Sequence, residues 1–266
     1  MRLKEWLVGV VPEERLARLS SRFHVIGDIA ILYLDPELDG YKDEIASALL
    51  DQCRNVRTVF NKITPLEGER RTSRLELLAG EGNSVTVHRE FGFRYHLDVA
   101  RVFFNSRLGY ERMRVAVQVK AGEEALVLFA GVGPFAIPPA ARGARVVALE
   151  KSLEACGWLA ENARENGVAE RIAVINADAF SMAALLKRRF DRAIVPAPYG
   201  MDRIVDALPE MLRRGGIIHF YTFKKAPQIE GLKKSYEDLG LEVLLCRRCG
   251  NVAPNVSRWA FDMEKI

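Results

Sequence analysis

Apolar and polar residues follow two different patterns along the chain, and the change falls near residue 105. In residues 1–105 short apolar segments alternate with turns, and one segment has apolar residues at helical spacing. The pattern predicts a helix at residues 41–52, strands at 29–34 and 56–60, and a hairpin of 84–88 with 91–98. We therefore expect a small α+β module in residues 1–105.

From about residue 110, continuous apolar segments alternate strictly with helical segments. Strands are predicted at residues 126–128, 146–149, 172–176, 192–195, 217–221, 243–245 and 257–262. Helices are predicted at residues 153–166, 183–188, 204–212 and within 225–239. Buried strands separated by helices indicate an α/β domain in residues 106–266, with a doubly wound, mostly parallel sheet. The last two strands have no helix between them, which is typical of an antiparallel hairpin.

A glycine-rich turn follows the first of these strands. Gly131 and Gly133 come after the apolar segment, and Glu150 ends the next strand. Glycines let a backbone approach a ligand closely, and an acid at the second strand end suits a ribose diol. The three-glycine dinucleotide pattern is not met, because Pro134 follows Gly133. This favours S-adenosylmethionine (SAM), which has no pyrophosphate, over NAD.

Polar or flexible residues also follow the other parallel strands, where ligands bind in such sheets. In chain order these positions are Ala130 to Gly133, Glu150, Asp178, and Pro196 to Tyr199. This order suits the methionine end, the ribose, the adenine edge and the substrate. A strand-end acid by itself often only caps a helix, so the order of all four positions is what predicts a SAM site.

Composition limits the class of protein. The chain has 266 residues, 49% hydrophobic and 28% charged, as expected for a folded globular protein. It has neither an apolar segment of the roughly 20 residues that span a bilayer nor a signal-peptide pattern, so we expect a cytoplasmic protein. Cys246 and Cys249 form a C-x-x-C pair without a second pair. We therefore expect ordinary thiols and no metal.

Basic residues give the chain a net charge of +4 and a pI of about 8.9. Several are adjacent in sequence, such as Lys224 with Lys225 and Arg247 with Arg248. Such clusters suit a polyanion such as a nucleic acid. Cations at solvated helix ends are the alternative explanation.

Several longer segments resemble one family. They are GERRT at 68–72, ELLAGE at 76–81, VHREFG at 87–92, YHLDV at 95–99, FFNSRL at 103–108, ER at 111–112, FAGVGPF at 129–135 and IHFYT at 218–222. From about residue 20 to the C-terminus, the chain resembles the tRNA guanine-37 N1-methyltransferases and the related wybutosine-pathway aminocarboxypropyl transferases. The resemblance implies a class I methyltransferase domain behind a small RNA-facing module.

The resemblance also implies roles for two residues. Arg71 would contact the target guanine, whose O6 and N7 accept the forked donors of a guanidinium; a surface salt bridge is the alternative. Glu111 would be the general base that takes the N1 proton as the methyl group arrives. The alternative for Glu111 is a salt bridge on its helix with Arg114 or Arg107.

Other positions are implied to bind the cofactor. They are Phe103, Arg107, Arg112, Ala130, Gly131, Gly133, Glu150, Lys151 and Asp178. Arg107 would suit the methionine carboxylate of SAM.

The chain departs from the family pattern at two positions. Val127 stands where the family usually has an acid that contacts the cofactor. Pro196 replaces an asparagine that would orient guanine, and there Tyr199 could stack on the base or anchor the loop.

Two features, the pair Glu150-Lys151 and the absence of the methyltransferases' extra N-terminal domain, resemble the aminocarboxypropyl transferases. In contrast, Arg71-Thr72, residues 105–108 and residues 220–222 resemble the methyltransferases.

We therefore expect a SAM-dependent tRNA-modifying enzyme that acts on guanosine 37 or its tricyclic derivative, with N1-methyl transfer first. Aminocarboxypropyl transfer to the wybutosine precursor is the alternative within the family. A small-molecule methyltransferase and a non-catalytic tRNA-binding protein are the alternatives outside it. We expect the anticodon stem-loop of tRNA as partner, a monomer, and no membrane.

Overall fold

The fold is known from a computed structural model, which describes residues 3–20, 23–65, 73–183 and 189–266. The chain divides into two units, Met1–Ser106 and Arg107–Ile266. Both contain helices and strands, and a seven-stranded sheet lies in the second unit.

The first unit is built on a four-stranded sheet. In sheet order its strands are β1 (His24–Ile26), β2 (Ile29–Leu32), β3 (Thr58–Lys62) and β4 (Leu75–Gly80). β2 and β3 are parallel because helix α3 (Lys42–Gln52) connects them, whereas β1 and β4 are antiparallel to their neighbours. Ile45, Ala46 and Leu49 of α3 are fully buried in one core with residues of this sheet. The predicted helix is therefore confirmed.

The first unit also contains a separate hairpin and two short helices. β5 (Val85–Glu90) pairs antiparallel with β6 (Phe93–Asp98), as predicted. Phe91 and Gly92 join them with positive φ values of 50° and 86°, as in a type I′ turn. The expectation of only one helix in this unit is wrong, because α1 (Leu3–Trp6) and α2 (Glu13–Arg18) are also present. Helices of 4 and 6 residues are too short to show a helical period in the sequence.

The second unit has the predicted doubly wound sheet. In chain order its strands are β7 (Glu124–Leu128), β8 (Arg145–Glu150), β9 (Ile172–Asn176), β10 (Phe190–Val195), β11 (Leu212–Lys224), β12 (Leu241–Ala253) and β13 (Val256–Lys265). The sheet order is β12-β13-β11-β10-β7-β8-β9. The strands from β11 to β9 are parallel to one another. β13 is antiparallel to both β11 and β12, which confirms the terminal hairpin.

Helices cover this sheet. They are α4 (Gly109–Ala116), α5 (Ile137–Ala141), α6 (Leu153–Glu165), α7 (Ala179–Ala183), α8 (Leu208–Met211) and α9 (Ile229–Glu237). Leu126, Val127 and Leu128 in the central strand β7 are fully buried, as expected for a parallel strand covered on both faces. In the part of the chain that the structure describes, every helix is too short or too polar to span a lipid bilayer.

The strand order places a crevice at the carboxyl ends of β7 and β10. From β7 the chain proceeds outward through β8 to β9, and it then returns to β10 on the other side of β7. Where the strand order reverses in this way, the connections leave in opposite directions and open a ligand crevice. The turn after β7 and the loop after β10 both lie at this point.

Some element boundaries differ from those predicted. The helix predicted at residues 183–188 falls almost wholly outside the described residues, and the structure instead has α7 before it. The helix predicted at 204–212 is wrong in part, because a 3-10 turn (Asp202–Ala207) precedes the short α8. β11 extends well beyond the predicted 217–221, because pairing with β13 satisfies the backbone groups of its polar end.

Candidate active site

The turn after β7 has left-handed backbone conformations. The φ angle is 53° at Phe129, 56° at Gly131 and 96° at Gly133. Residues with side chains rarely adopt such angles, so the two glycines keep this turn tight. A Cβ atom on Gly133 would lie 2.3 Å from Cδ1 of Leu159, so this glycine also lets α6 pack closely against the turn.

Replacing Gly133 with alanine should lower both the free energy of unfolding and the affinity for SAM. The added methyl group would overlap Leu159, and overpacking of this kind costs about 1–3 kcal/mol. Gly167→Ala is the matched control, since Gly167 has a φ of 68° but no atom within 4 Å of its Cβ position. Urea unfolding and calorimetric SAM titration measure the two effects. Equal losses in both variants would contradict a packing role for Gly133.

Glu150 lies beside this turn, as predicted. Its Oε2 accepts a hydrogen bond from the backbone N–H of Gly131 at 2.8 Å, and its Oε1 accepts one from Ser152 at 2.8 Å. Each carboxylate oxygen keeps a further lone pair that can accept a hydroxyl. The geometry therefore provides a rigid acceptor for a diol at the tip of β8.

Asp178 and Lys151 lie together next to the end of β9. Lys151 Nζ is 3.3 Å from Asp178 Oδ2, and Asp178 Oδ1 accepts the backbone N–H of Phe180 at 2.9 Å. This backbone bond, together with Lys151, lowers the pKa of Asp178. Asp178 thus caps the start of α7, which is the ordinary role of a strand-end acid. The ring centroid of Phe180 lies 6.5 Å from that of Phe129, so this corner also has an apolar wall.

Glu111, the predicted base, is buried in α4 and is anchored by one oxygen. Its Oε2 accepts hydrogen bonds from Arg114 Nε at 2.9 Å and from the Tyr221 hydroxyl at 3.1 Å. Burial raises the pKa of Tyr221 well above its usual value, so the hydroxyl keeps the proton that it donates. The salt bridge with Arg114, which was the alternative role predicted for Glu111, is therefore present.

The other oxygen of Glu111 has a different environment. Oε1 is buried and lies 3.3 Å from Arg247 Nη1, but among the described residues it receives no hydrogen bond. These two atoms are close enough for an ion pair, but the angles at the donor and the acceptor do not suit a hydrogen bond. Burying a carboxylate oxygen that accepts no hydrogen bond costs stability. An oxygen of this kind therefore calls for an explanation, and a catalytic role is one.

Aromatic contacts connect Glu111 to the segment after the glycine-rich turn. The ring centroid of Tyr221 lies 5.2 Å from that of Phe135, which follows Gly133 and Pro134. The buried guanidinium of Arg112 lies 6.0 Å from the centroid of the same Phe135 ring. Tyr221 thus contacts both the predicted base and the wall of the predicted cofactor turn.

A buried polar network extends from Arg114 away from Glu111. Both Nη atoms of Arg114 donate to Asp262, and Nη2 to Oδ1 is 3.0 Å. His219 Nδ1 is 2.7 Å from Asp262 Oδ1, and Arg192 Nη1 is 2.6 Å from His219 Nε2. Arg192 Nε also donates to Glu123 at 2.7 Å. This network was not predicted from the sequence, although a histidine in the apolar segment IIHFY was one signal.

The protonation of the network follows from its contacts. A guanidinium can only donate, so His219 Nε2 accepts from Arg192 and Nδ1 carries the proton given to Asp262. Burial lowers the pKa of His219 despite its contact with Asp262, which keeps the ring neutral. Burial alone would raise the pKa of Asp262, but hydrogen bonds from His219 and Arg114 hold it well below its usual range.

The loop after β10 contains Pro196 and Tyr199. Pro196 is partly buried, while the Tyr199 side chain is 61% exposed. The Tyr199 ring lies 5.8 Å from that of Phe223, and the guanidinium of Arg258 covers the Phe223 ring at 4.8 Å. Tyr199 is therefore both supported by a neighbour and open to a ligand, so stacking and loop anchoring are compatible.

The other predicted site residues have different locations. Arg71 lies outside the described residues. Phe103 belongs to the first unit and is 41% exposed, whereas Arg107 begins the second unit in a 3-10 turn (Ser106–Leu108). Val127 is fully buried between Ala148 and Ile194, where an aliphatic side chain suits the core of the sheet. The substrate role of Arg71 and the cofactor roles of Phe103 and Arg107 remain predictions.

The cysteine pair shows the features of ordinary thiols. Cys246 and Cys249 are both partly buried, and burial raises the pKa of Cys249 to about 11. Within the described ranges, no group of at least three His, Cys, Asp or Glu side chains is arranged to hold a metal ion.

The sheet order, its one antiparallel strand and the glycine-rich turn define the second unit as a class I methyltransferase fold. Residues 86–244 match the TRM5/TYW2 methyltransferase domain, and residues 3–83 match the TYW2 N-terminal domain. The chain belongs to the TRM5/TYW2 methyltransferase family. The predicted fold class and the family resemblance are both confirmed.

The chain is similar to members of both branches of this family. It is 34% identical to tRNA (guanine(37)-N(1))-methyltransferase Trm5b of Pyrococcus abyssi over 261 residues, 96% of this chain and 78% of the relative. The crystal structure of that protein matches with a TM-score of 0.88. The chain is also 34% identical over 222 residues to tRNA(Phe) (4-demethylwyosine(37)-C(7)) aminocarboxypropyltransferase of Pyrococcus horikoshii, 83% of this chain and 78% of the relative.

A structure with bound RNA also matches. The complex of aTrm5 and tRNALeu has a TM-score of 0.90 at 28% identity, covering 100% of this chain and 78% of that chain.

Proposed function

We propose that this protein transfers the methyl group of SAM to N1 of guanosine 37 in tRNA. The single observation that carries the proposal is the similarity to P. abyssi tRNA (guanine(37)-N(1))-methyltransferase Trm5b, which extends over 96% of the chain. The environment of Glu111 supports it, since one oxygen is anchored and the other accepts no hydrogen bond among the described residues.

The residues at the carboxyl ends of β7, β8 and β9 fit SAM. Gly131 and Gly133 allow close approach, the fixed Glu150 carboxylate suits the ribose hydroxyls, and Asp178 suits the adenine edge. The bound sulfonium supplies an electrophilic methyl group. Phe103, Arg107, Arg112, Ala130 and Lys151 complete the proposed cofactor site on the basis of the family resemblance.

Glu111 carries out the proton step in this proposal. Guanine N1 bears a proton that must leave as the N–CH₃ bond forms and the bond from methyl to sulfur breaks. Glu111 Oε1 accepts that proton, while Arg114 and Tyr221 hold Oε2. Arg71 is proposed to donate to the guanine O6 and N7 edge, and Tyr199, beyond Pro196, to stack on the base.

The proposed partner is the anticodon stem-loop of tRNA, which contains position 37. The known complex of aTrm5 with tRNALeu and the basic character of this chain support it. A monomer located in the cytoplasm is the proposed working form.

Aminocarboxypropyl transfer is the second candidate. It is favoured by the match of residues 3–83 to the TYW2 N-terminal domain and by the similarity to the P. horikoshii aminocarboxypropyltransferase. In that reaction a carbon of the tricyclic base would attack the aminocarboxypropyl chain, so a different bond to the sulfonium breaks.

The sulfur by-product distinguishes the two reactions. We expect incubation with SAM and unmodified tRNA to yield S-adenosylhomocysteine and N1-methylguanosine at position 37. Transfer to tRNA carrying 4-demethylwyosine with release of methylthioadenosine would instead establish the second candidate. A tRNA with adenosine at position 37 is the control and should yield neither product. Failure to form either by-product with any of these tRNAs would contradict both.

A further inference from the structure

Helix α4 positions two residues of opposite charge one turn apart. Glu111 and Arg114 are related as i and i+3, and Arg114 Nε donates to Glu111 Oε2 at 2.9 Å. The remaining donors of the same guanidinium form a two-pronged contact with Asp262 on β13. Arg114 is thus held between two carboxylates, and its planar fork fixes the direction of each bond.

Asp262 is in turn held by His219, which Arg192 contacts from the next strand of the sheet. His219 on β11 is paired directly opposite Asp262 on β13, so their side chains lie on the same face. Arg192 on β10 contacts the far side of the His219 ring and also bonds Glu123. Asp262, His219 and Arg192 are all buried. One continuous set of contacts therefore runs from Glu123 across three strands to Glu111.

Burying such a network is costly for stability alone. Desolvation of charged groups often exceeds their mutual attraction, and apolar side chains of similar size commonly stabilise a core as well or better. A network of this kind does, however, fix the orientation of its terminal member. That member is Glu111, whose Oε2 accepts two hydrogen bonds, while Oε1 forms an ion pair with Arg247 at 3.3 Å but accepts no hydrogen bond from the described residues.

We propose that Arg114 is a positioning residue for the general base: it holds Glu111 by Oε2 and so presents Oε1 to the target base. Asp262, His219 and Arg192 keep Arg114 in this orientation. The inference rests on the proposed function, in which Glu111 takes the proton from guanine N1.

A double-mutant cycle tests the inference in the full-length protein. The single-turnover rate of methyl transfer is measured at saturating SAM and tRNA for Arg114→Lys, Glu111→Gln and the double variant. A lysine keeps the charge but cannot bond Asp262 with two prongs and Glu111 at the same time. We expect Arg114→Lys to lower the rate about 10- to 100-fold, the effect of a base displaced by about an ångström. The KM for tRNA and the Kd for SAM should remain near wild type.

The second half of the cycle separates positioning from a structural role. If Arg114 acts through Glu111, Arg114→Lys should cause no further loss in the Glu111→Gln background. An equal loss in both backgrounds would overturn the inference and leave the proposed function intact. Full activity of Glu111→Gln alone would instead contradict Glu111 as base, and with it the proposed chemistry.

Two further variants complete the test. Arg145→Lys is the matched control. Arg145, at the amino end of β8, is exposed and forms an ion pair with Glu124. It should have wild-type activity. His219→Asn keeps a donor toward Asp262 but is too short to reach Arg192. It should lower the rate of methyl transfer in the wild-type background and cause no further loss in the Glu111→Gln background. This variant keeps the test decisive if Arg114→Lys fails to fold, and additive losses would again overturn the inference.

Discussion

Replacing Glu111 with glutamine is expected to lower the single-turnover rate of methyl transfer by about 10²- to 10⁴-fold, the usual contribution of a general base. Glutamine has nearly the same shape, so α4 should remain folded. Its carbonyl oxygen should face the donors Arg114 and Tyr221, which places the amide NH₂ where Oε1 now lies. An NH₂ group cannot take the N1 proton, and it would point donors at both the guanine N–H and Arg247.

The affinity for SAM should change little in this variant, since Glu150 and the glycine-rich turn are untouched. Quench-flow measurement of N1-methylguanosine gives the rate, and calorimetric titration gives the dissociation constant of SAM. Glu210→Gln is the matched control, because Glu210 lies exposed in α8. A wild-type rate of N1-methylguanosine formation in Glu111→Gln would rule out Glu111 as the base.

Replacing Asp262 with alanine is expected to lower the free energy of unfolding by about 3–5 kcal/mol, as is typical when one member of a buried ion pair is removed. The change leaves the Arg114 guanidinium without its main partner and leaves His219 Nδ1 without an acceptor. Such a loss is a large fraction of the roughly 5–15 kcal/mol that stabilises a typical protein. Urea unfolding at pH 7 provides the measurement.

Two control variants show whether the loss of stability comes from leaving a buried charge without its partner. Glu230→Ala removes an exposed partner of Lys233 and should cost less than about 1 kcal/mol. The double variant Arg114→Met/Asp262→Leu should be more stable than Asp262→Ala, because it leaves neither residue of the pair as an isolated buried charge. Its methyl transfer should nevertheless stay impaired. A loss below about 1 kcal/mol in Asp262→Ala would show that the network contributes little to stability.

The contribution of Asp262 to the free energy of unfolding also depends on pH. Its folded-state pKa is lowered, so its stabilising effect is complete above the unfolded pKa of about 3.9 and is lost as the pH falls through the folded value. The difference between wild type and Asp262→Ala should therefore be constant near neutrality and shrink only in acid.

Much of the cofactor half of the site could be predicted from local sequence pattern. The carboxyl ends of parallel strands meet at one edge of a sheet, so Gly131 after β7 and Glu150 at the end of β8 had to be neighbours. The hydrogen bond between them follows from that arrangement. For Glu111 the sequence left two roles open, a base or a salt bridge. The structure shows the bridge on one oxygen and a buried second oxygen that lies 3.3 Å from Arg247 Nη1 but accepts no hydrogen bond from the described residues.

By itself, the sequence determined the class of fold, the positions of most helices and strands, and the residues at the strand ends, because hydrophobic periodicity is a local property of the chain. Only the tertiary structure decided that Arg114 meets Asp262 across 148 positions, and that His219 meets Asp262 across 43. The contact between His219 and Asp262 depends on the register of β11 against β13, and a shift of one residue would put the two side chains on opposite faces of the sheet. Register depends on packing over the whole sheet, so no local pattern reports it.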